Sequence, residues 1–276
     1  MAAGWQAVHH FVDRGVVSAA DLLLPPSCNA CGQVLSAGSL QPLLCAACRS
    51  AFSAIPSPLC RRCASPTSPT DVGDDCARCR NRHYQFEAAT ALGVYRDRLR
   101  DAVIRMKQLG QDPLTLSVGF LLAEVLRERI CQPRADLLVP VPAHWWKRLV
   151  RGVNGPDLLA EAISQTLAIP LFANLLVCRR RTRKQGTLLP SERLVNMRDA
   201  FRVSANYDVA GAAVLLVDDI VTTGATASEA AKTLRRAGAA SVSVAMVARA
   251  TGADQRGPGN IQASSTCVGA ANAKNG

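Results

Sequence analysis

The chain has 276 residues, 49% of them hydrophobic and 19% charged, and a formal charge of +11. That length suits one main domain with a smaller module, and the balance excludes a wholly disordered, collagenous or coiled-coil protein. The excess of cations points to phosphate-bearing partners, nucleotide or nucleic acid, without choosing between them.

In chain order, Trp5, Val8, Phe11, Val12, Val16, Ala19, Leu22 and Leu23 recur at helical spacing until Pro25-Pro26 stops them, so an amphipathic helix is expected over 1–24. Its polar face is poor in Lys and Arg, which favours packing on the body of the protein over a membrane surface. His9, His10, Asp13 and Arg14 interrupt the apolar positions, so the segment does not read as a signal peptide. No apolar run reaches the roughly 18 to 20 residues of a membrane-spanning helix. The expected location is the cytoplasm.

Residues 25–86 form a Cys-rich module. Four C-x-x-C pairs stand at Cys28/Cys31, Cys45/Cys48, Cys60/Cys63 and Cys76/Cys79, separated by thirteen, eleven and twelve residues. Two residues between thiolates let a tight turn aim both sulfurs at one ion, and two such turns complete the tetrahedral site that zinc prefers. Eight cysteines therefore predict two structural zinc ions. The expected sets are Cys28/Cys31/Cys45/Cys48 and Cys60/Cys63/Cys76/Cys79; an interleaved pairing, first with third and second with fourth, is the alternative. A cytosolic chain keeps its thiols reduced, which disfavours disulfides. The stretch is rich in Pro, Ser and Gly, and it cannot build a core of its own. Cys131, Cys178 and Cys267 lie outside the pairs and receive no role.

From Glu87 the texture alternates between extended and helical. Leu92–Tyr95, Leu137–Val141, Val214–Val217 and Ser241–Val247 read as strands; Asp97–Gln108, Ser117–Ile130, Asp157–Leu167 and Ala225–Ala237 read as helices. That alternation predicts an α/β domain over 87–250, with a mostly parallel sheet flanked by helices. Few charges and many small residues follow, so 251–276 is expected to be a disordered tail.

The most informative segment runs from Val214 to Thr226. An apolar strand delivers Asp218 and Asp219 to a loop of Thr222, Thr223, Gly224, Ala225 and Thr226, which opens a helix. Gly224 lets the backbone approach a ligand, and hydroxyls beside helix N-terminal N–H groups make an anion site. Adjacent carboxylates there suit sugar hydroxyls or a magnesium ion next to a bound phosphate. Two basic segments share the domain. In the first, Trp145 and Trp146 precede Lys147, Arg148 and Arg151, cations placed to meet a diphosphate. The two rings suit either stacking on a base or packing in the core. The second has five cations in the six residues from Arg179 to Lys184. In isolation it is a solvated loop; beside a phosphate site it reads as a flap that closes over diphosphate.

The segment from Val214 to Thr226 resembles the phosphoribosyl pyrophosphate (PRPP) signature of type I phosphoribosyltransferases. From Leu22 to Arg249 the chain resembles the ComF family, a double zinc ribbon fused to a phosphoribosyltransferase-like domain. The carriers are the cysteine pairs, Met106-Lys107, Pro140-Val141-Pro142, Arg148 to Asn154, the run from Arg181-Thr182 to Arg193 and Asn196, Ala200-Phe201 and the loop after Asp219. Val153 and Gly155-Pro156 depart from the family pattern. The resemblance implies that Asp218 and Asp219 contact ribose hydroxyls and that Thr222, Thr223, Gly224, Ala225 and Thr226 wrap the 5′-phosphate. With magnesium, Arg148 and Arg151 would hold PRPP, while Arg183 and Lys184 join the carboxylates in catalysis. Two functions follow from it. One is transfer of a phosphoribosyl group from PRPP; the other is a single-stranded DNA-binding accessory of DNA uptake, partnered by a DNA-translocating ATPase.

Overall fold

The computed structural model describes residues 25–36, 42–55, 58–67, 76–80, 82–129, 135–142, 155–180 and 190–251. The expected helix over 1–24 and the tail beyond Thr251 lie outside them. Among the described residues, no helix is long and apolar enough to cross a membrane.

Four short apolar runs become one parallel sheet: β1 (Ala88–Val94), β2 (Leu137–Pro140), β5 (Ala213–Val221) and β6 (Ser241–Arg249). Their order across the sheet is β1-β6-β5-β2. Both faces of the central strands are buried, which is why these runs are nearly continuous in Val, Leu and Ala rather than alternating. Helices α3 (Asp97–Arg105), α4 (Asp112–Arg129) and α5 (Gly155–Leu167) build one core against Leu92, Leu215, Val217 and Val247. The other core packs α7 (Ala225–Arg236) by Ala227, Ala230, Ala231 and Leu234 against Val214, Leu216, Val242 and Val244. Gly119 lets α4 and α5 approach closely, since a Cβ there would stand 2.7 Å from the Ala162 Cβ.

The Cys-rich module joins both cores instead of forming a third. Its helix α1 (Ala46–Ser53) buries Phe52 with Cys28, Cys45 and Cys48 on the α3–α4 side. The short turn α2 (Ala77–Arg80) carries Cys79, which packs with Cys60, Cys63 and Cys76 on the α7 side. Edge strand β1 is tied to the module too, because the Ala89 N–H donates to the Arg61 carbonyl at 2.9 Å.

Three features differ from the reading of the sequence. Strand β5 continues through Asp218 and Asp219 to Val221, because Asp218, Ile220 and Val221 pair with Met246, Ala248 and Arg249 of β6. Tertiary pairing there outweighs the poor strand preference of aspartate. A second, two-stranded antiparallel sheet joins β3 (Leu176–Cys178) to β4 (Phe201–Val203). Helix α6 (Pro190–Met197) lies between those two strands in the chain.

Where β6 ends, Arg249 is only 1% exposed. Its Nε donates to the Ser65 hydroxyl at 3.0 Å, and its Nη1 donates to the carbonyls of Val221 at 3.1 Å and Thr222 at 2.9 Å. Nη2 reaches the Tyr84 hydroxyl at 3.4 Å. Replacing Arg249 by Met should lower stability by about 3–5 kcal/mol, since buried acceptors lose their donor. Urea unfolding checks this, and an unchanged midpoint would show the guanidinium to be dispensable.

Candidate functional site

The cysteines fall into the two consecutive sets, not the interleaved ones. Within each of Cys28/Cys31/Cys45/Cys48 and Cys60/Cys63/Cys76/Cys79, all sulfurs lie within 4.8 Å of one another. Individual gaps are 3.7 Å for Cys31–Cys45, 3.8 Å for Cys60–Cys79 and 3.6 Å for Cys63–Cys76. A tetrahedral ion with Zn–S near 2.3 Å requires sulfurs about 3.8 Å apart. Disulfides, at about 2.05 Å, do not fit.

Both sets are built alike. Each first pair sits in a small antiparallel loop, closed by the bridges Ser27–Val34 and Leu59–Pro66. In each, a backbone N–H returns to the first cysteine's carbonyl, from Gly32 and from Ala64, both at 2.8 Å. Gly32 has φ 78° and Ala64 has φ 55°, so an alanine stands where the geometry favours glycine. Each second pair opens α1 or α2.

Burial opposes ionisation of Cys28, yet backbone hydrogen bonds from Cys45, Cys31 and Ala30 bring its thiol down to about 6. Burial and the neighbouring sulfurs push Cys48 up. The second set repeats the contrast: Cys63 is lowered by hydrogen bonds from Ser65 and by the Arg249 charge against its burial, while burial and Cys63 raise Cys79. Four thiolates cannot share so small a space without a cation between them, so both sets fit a closed, structural zinc site.

The second feature is the loop between β5 and α7. Arg249 holds the carbonyls of Val221 and Thr222, and Arg82 Nη1 donates to that of Thr223 at 2.8 Å. A trans peptide sets each N–H opposite its C=O, so the N–H groups of Thr222, Thr223 and Gly224 face away from the two guanidiniums. Successive N–H groups turned one way make an anion nest. Gly224 caps α7 at φ 80°, and a Cβ on it would stand 2.5 Å from the Tyr84 ring, so both conformation and packing require glycine. Thr223 is buried and accepts the Ala225 N–H at its own hydroxyl, while Thr222 and Thr226 remain half-buried.

Beside the loop, Asp219 faces Lys107, whose Nζ lies 3.0 Å from its carboxylate. Burial and the Asp219 charge push Asp218 well above the usual carboxylate range. Burial acts on Asp219 too, but the ammonium of Lys107 outweighs it and holds Asp219 low. Asp219 in turn raises Lys107 against the effect of burial. The site thus pairs one carboxylate pushed up by its surroundings with one held down by Lys107. Lys107, on the turn after α3, enters the reading of the sequence only within the Met106-Lys107 pair that carries the family resemblance, with no site role. Its only local signal was a lone cation at the end of a basic helix. Arg148, Arg151, Arg183 and Lys184 lie outside the described residues, as do Trp145, Trp146 and Lys147.

Among known proteins, the double zinc ribbon domain family matches residues 19–80, and the phosphoribosyl transferase domain family matches residues 157–265. The chain is therefore a double zinc ribbon joined to a phosphoribosyltransferase-like α/β domain. It is 30% identical to the DNA utilization protein YhgH of Salmonella typhi over 189 residues, covering 67% of this chain and 82% of that one. With competence protein F of Haemophilus influenzae it shares 28% over 211 residues, covering 75% and 90%. Competence protein ComFC of Bacillus subtilis is 28% identical over 204 residues, covering 72% and 81%. The chain belongs to this family of competence F, ComFC and YhgH proteins.

Purified protein should carry two zinc ions per chain by elemental analysis, and chelation should expose all eight paired thiols to a thiol reagent. One equivalent or fewer in protein with free thiols would refute the assignment.

A second prediction concerns pH. Because the folded-state pKa of Asp218 is raised, its stabilising contribution is full below about pH 4 and is lost as pH rises through the raised value. Asp219 is depressed, so its contribution is present above about pH 4 and lost in acid. Above about pH 4, Asp218→Asn should raise the melting temperature by an amount that grows with pH, whereas Asp219→Asn should lower it. Calorimetric melts across that range decide, and shifts of the same sign in both variants would contradict it.

Proposed function

We propose that this protein handles single-stranded DNA as an accessory of DNA uptake or utilisation, and that its phosphoribosyltransferase-like domain binds PRPP or another ribose 5-phosphate. The observation that carries the reading is the span of the likeness. It covers 90% of a competence protein over 211 residues, which reaches into the zinc ribbon beyond the α/β domain, and 82% of a DNA utilization protein. A charge of +11 supports a polyanionic partner. A DNA-translocating ATPase is the protein partner this role calls for.

The loop and its carboxylates favour the ligand half of the reading. The Thr222–Gly224 N–H groups and the hydroxyls of Thr222 and Thr226 would receive a phosphate. Asp218 and Asp219 would each hydrogen-bond one of the neighbouring ribose hydroxyls. In this structure the pair suits hydroxyls better than a bare divalent ion, because Lys107 already neutralises Asp219. Magnesium would then arrive on the diphosphate of the ligand and neutralise that charge. Arg148, Arg151, Arg183 and Lys184 are assigned to the same diphosphate. Transfer of the phosphoribosyl group is the second reading; it draws on the same carboxylate pair, which would steady positive charge as it builds on the ribose.

Calorimetry on full-length, zinc-loaded protein tests both halves, with PRPP and magnesium in one titration and an oligo-dT in another. Both should bind, and Asp218→Asn/Asp219→Asn should lose PRPP by tenfold or more while keeping the oligonucleotide. Absence of oligonucleotide binding overturns the DNA role; PRPP affinity indifferent to the double substitution overturns the ligand site.

A further inference from the structure

At the end of the sheet opposite the loop lies a cavity of about 890 Å³ that no part of the reading above uses. It runs across the first residues of β1, β5 and β6, between Leu59–Arg62 of the second cysteine set and Arg129 at the end of α4. Leu215, the groove residue of β5 nearest the site, stands three steps before Asp218, roughly 10 Å along the strand.

Its chemistry is one-sided. Arg61, Arg62, Arg129 and Arg235 line it against a single carboxylate, Glu87. Arg61 and Arg129 are exposed. Arg129 is steadied by a bond from its Nη1 to the Ala91 carbonyl at 3.3 Å, and Arg235 pairs with Glu87 at 2.5 Å. Thr90, Ser241 and Ser243, all half-buried, add hydroxyl groups. Guanidiniums and small hydroxyls are the donors that hold phosphodiester oxygens. The nearby aromatic rings are not offered to bases, since Tyr84 and Phe86 stack on each other at 4.8 Å and are 7% and 2% exposed. A groove of this size admits a few nucleotides of one strand and excludes a duplex.

We propose that this groove grips the sugar-phosphate backbone of single-stranded DNA, without sequence preference, on a surface separate from the phosphate loop. The proposal rests on the DNA-handling reading and gives it a location. Arg235 takes part by exchanging Glu87 for a phosphate oxygen.

The test is fluorescence anisotropy of a labelled oligo-dT with full-length, zinc-loaded protein across a salt series. Arg61→Glu/Arg129→Glu should weaken binding at least tenfold at fixed salt. The slope of log K against log salt should become shallower by about 1.4, the loss of two single-strand phosphate contacts at about 0.7 each. Arg61→Ala/Arg129→Ala should fall between this and wild type. Zinc content, circular dichroism and PRPP affinity should stay at wild-type values, which separates loss of the groove from loss of the fold. A folded double variant with wild-type affinity and slope overturns the groove and leaves DNA handling intact. Failure of the wild type to bind the oligonucleotide removes both.

Discussion

A guanidinium without water is expensive, and the surroundings of Arg249 are arranged to satisfy it. Its partners come from opposite ends of the chain: Ser65 and Tyr84 from the first third, Val221 and Thr222 from the last quarter. The loop after β5 is therefore tied, through Arg249 and Ser65, to the second cysteine set. The first set makes the corresponding link through another arginine. Arg105, at the end of α3, donates to the Ala30 carbonyl and, at 3.2 Å, to that of Asn29, both inside the first cysteine turn. Two residues later Lys107 meets Asp219. One arginine per cysteine set anchors one half of the same site.

This arrangement explains why so small a module accompanies the α/β domain without a separate core. Closed four-sulfur sites supply folding energy that a loop-rich stretch of this length lacks. The apolar groups beside each set then extend a core of the main domain, Phe52 on one face of the sheet and Ala64 on the other. Gly93 shows how intimate the junction is, since a Cβ there would stand 2.4 Å from the Phe52 carbonyl. A ribbon tied on in this way positions groups in the domain as well as carrying surface of its own.

Much of this was legible in the sequence because it is local. Cysteine spacing gives the metal sets, and apolar runs give the sheet strands and the helices between them. The Thr/Gly loop after an apolar strand is equally plain. What escaped depends on partners far apart in the chain. Nothing near Asp218 says that β6 will carry the strand on to Val221. Nothing local marks Arg249 as buried, and Met106-Lys107 carries the family likeness without naming Asp219 as the partner of Lys107. The three-residue strands β3 and β4 are too short for periodicity to register, and they pair only through each other. The basic groove is assembled from three strand beginnings, a cysteine turn and two helix ends, so no single segment announces it.

The sheet order carries a consequence for how the chain is made. β6 is the last strand in sequence yet lies between β1 and β5, pairing with both. Until it emerges from the ribosome, two apolar strand edges that belong inside the sheet have no neighbour. Such edges invite pairing with other chains. The Cys-rich ribbon, complete long before, covers only the outer side of β1 through the Arg61 carbonyl. It leaves both inner edges open, and these wait for the strand that closes the sheet and brings Arg249 home.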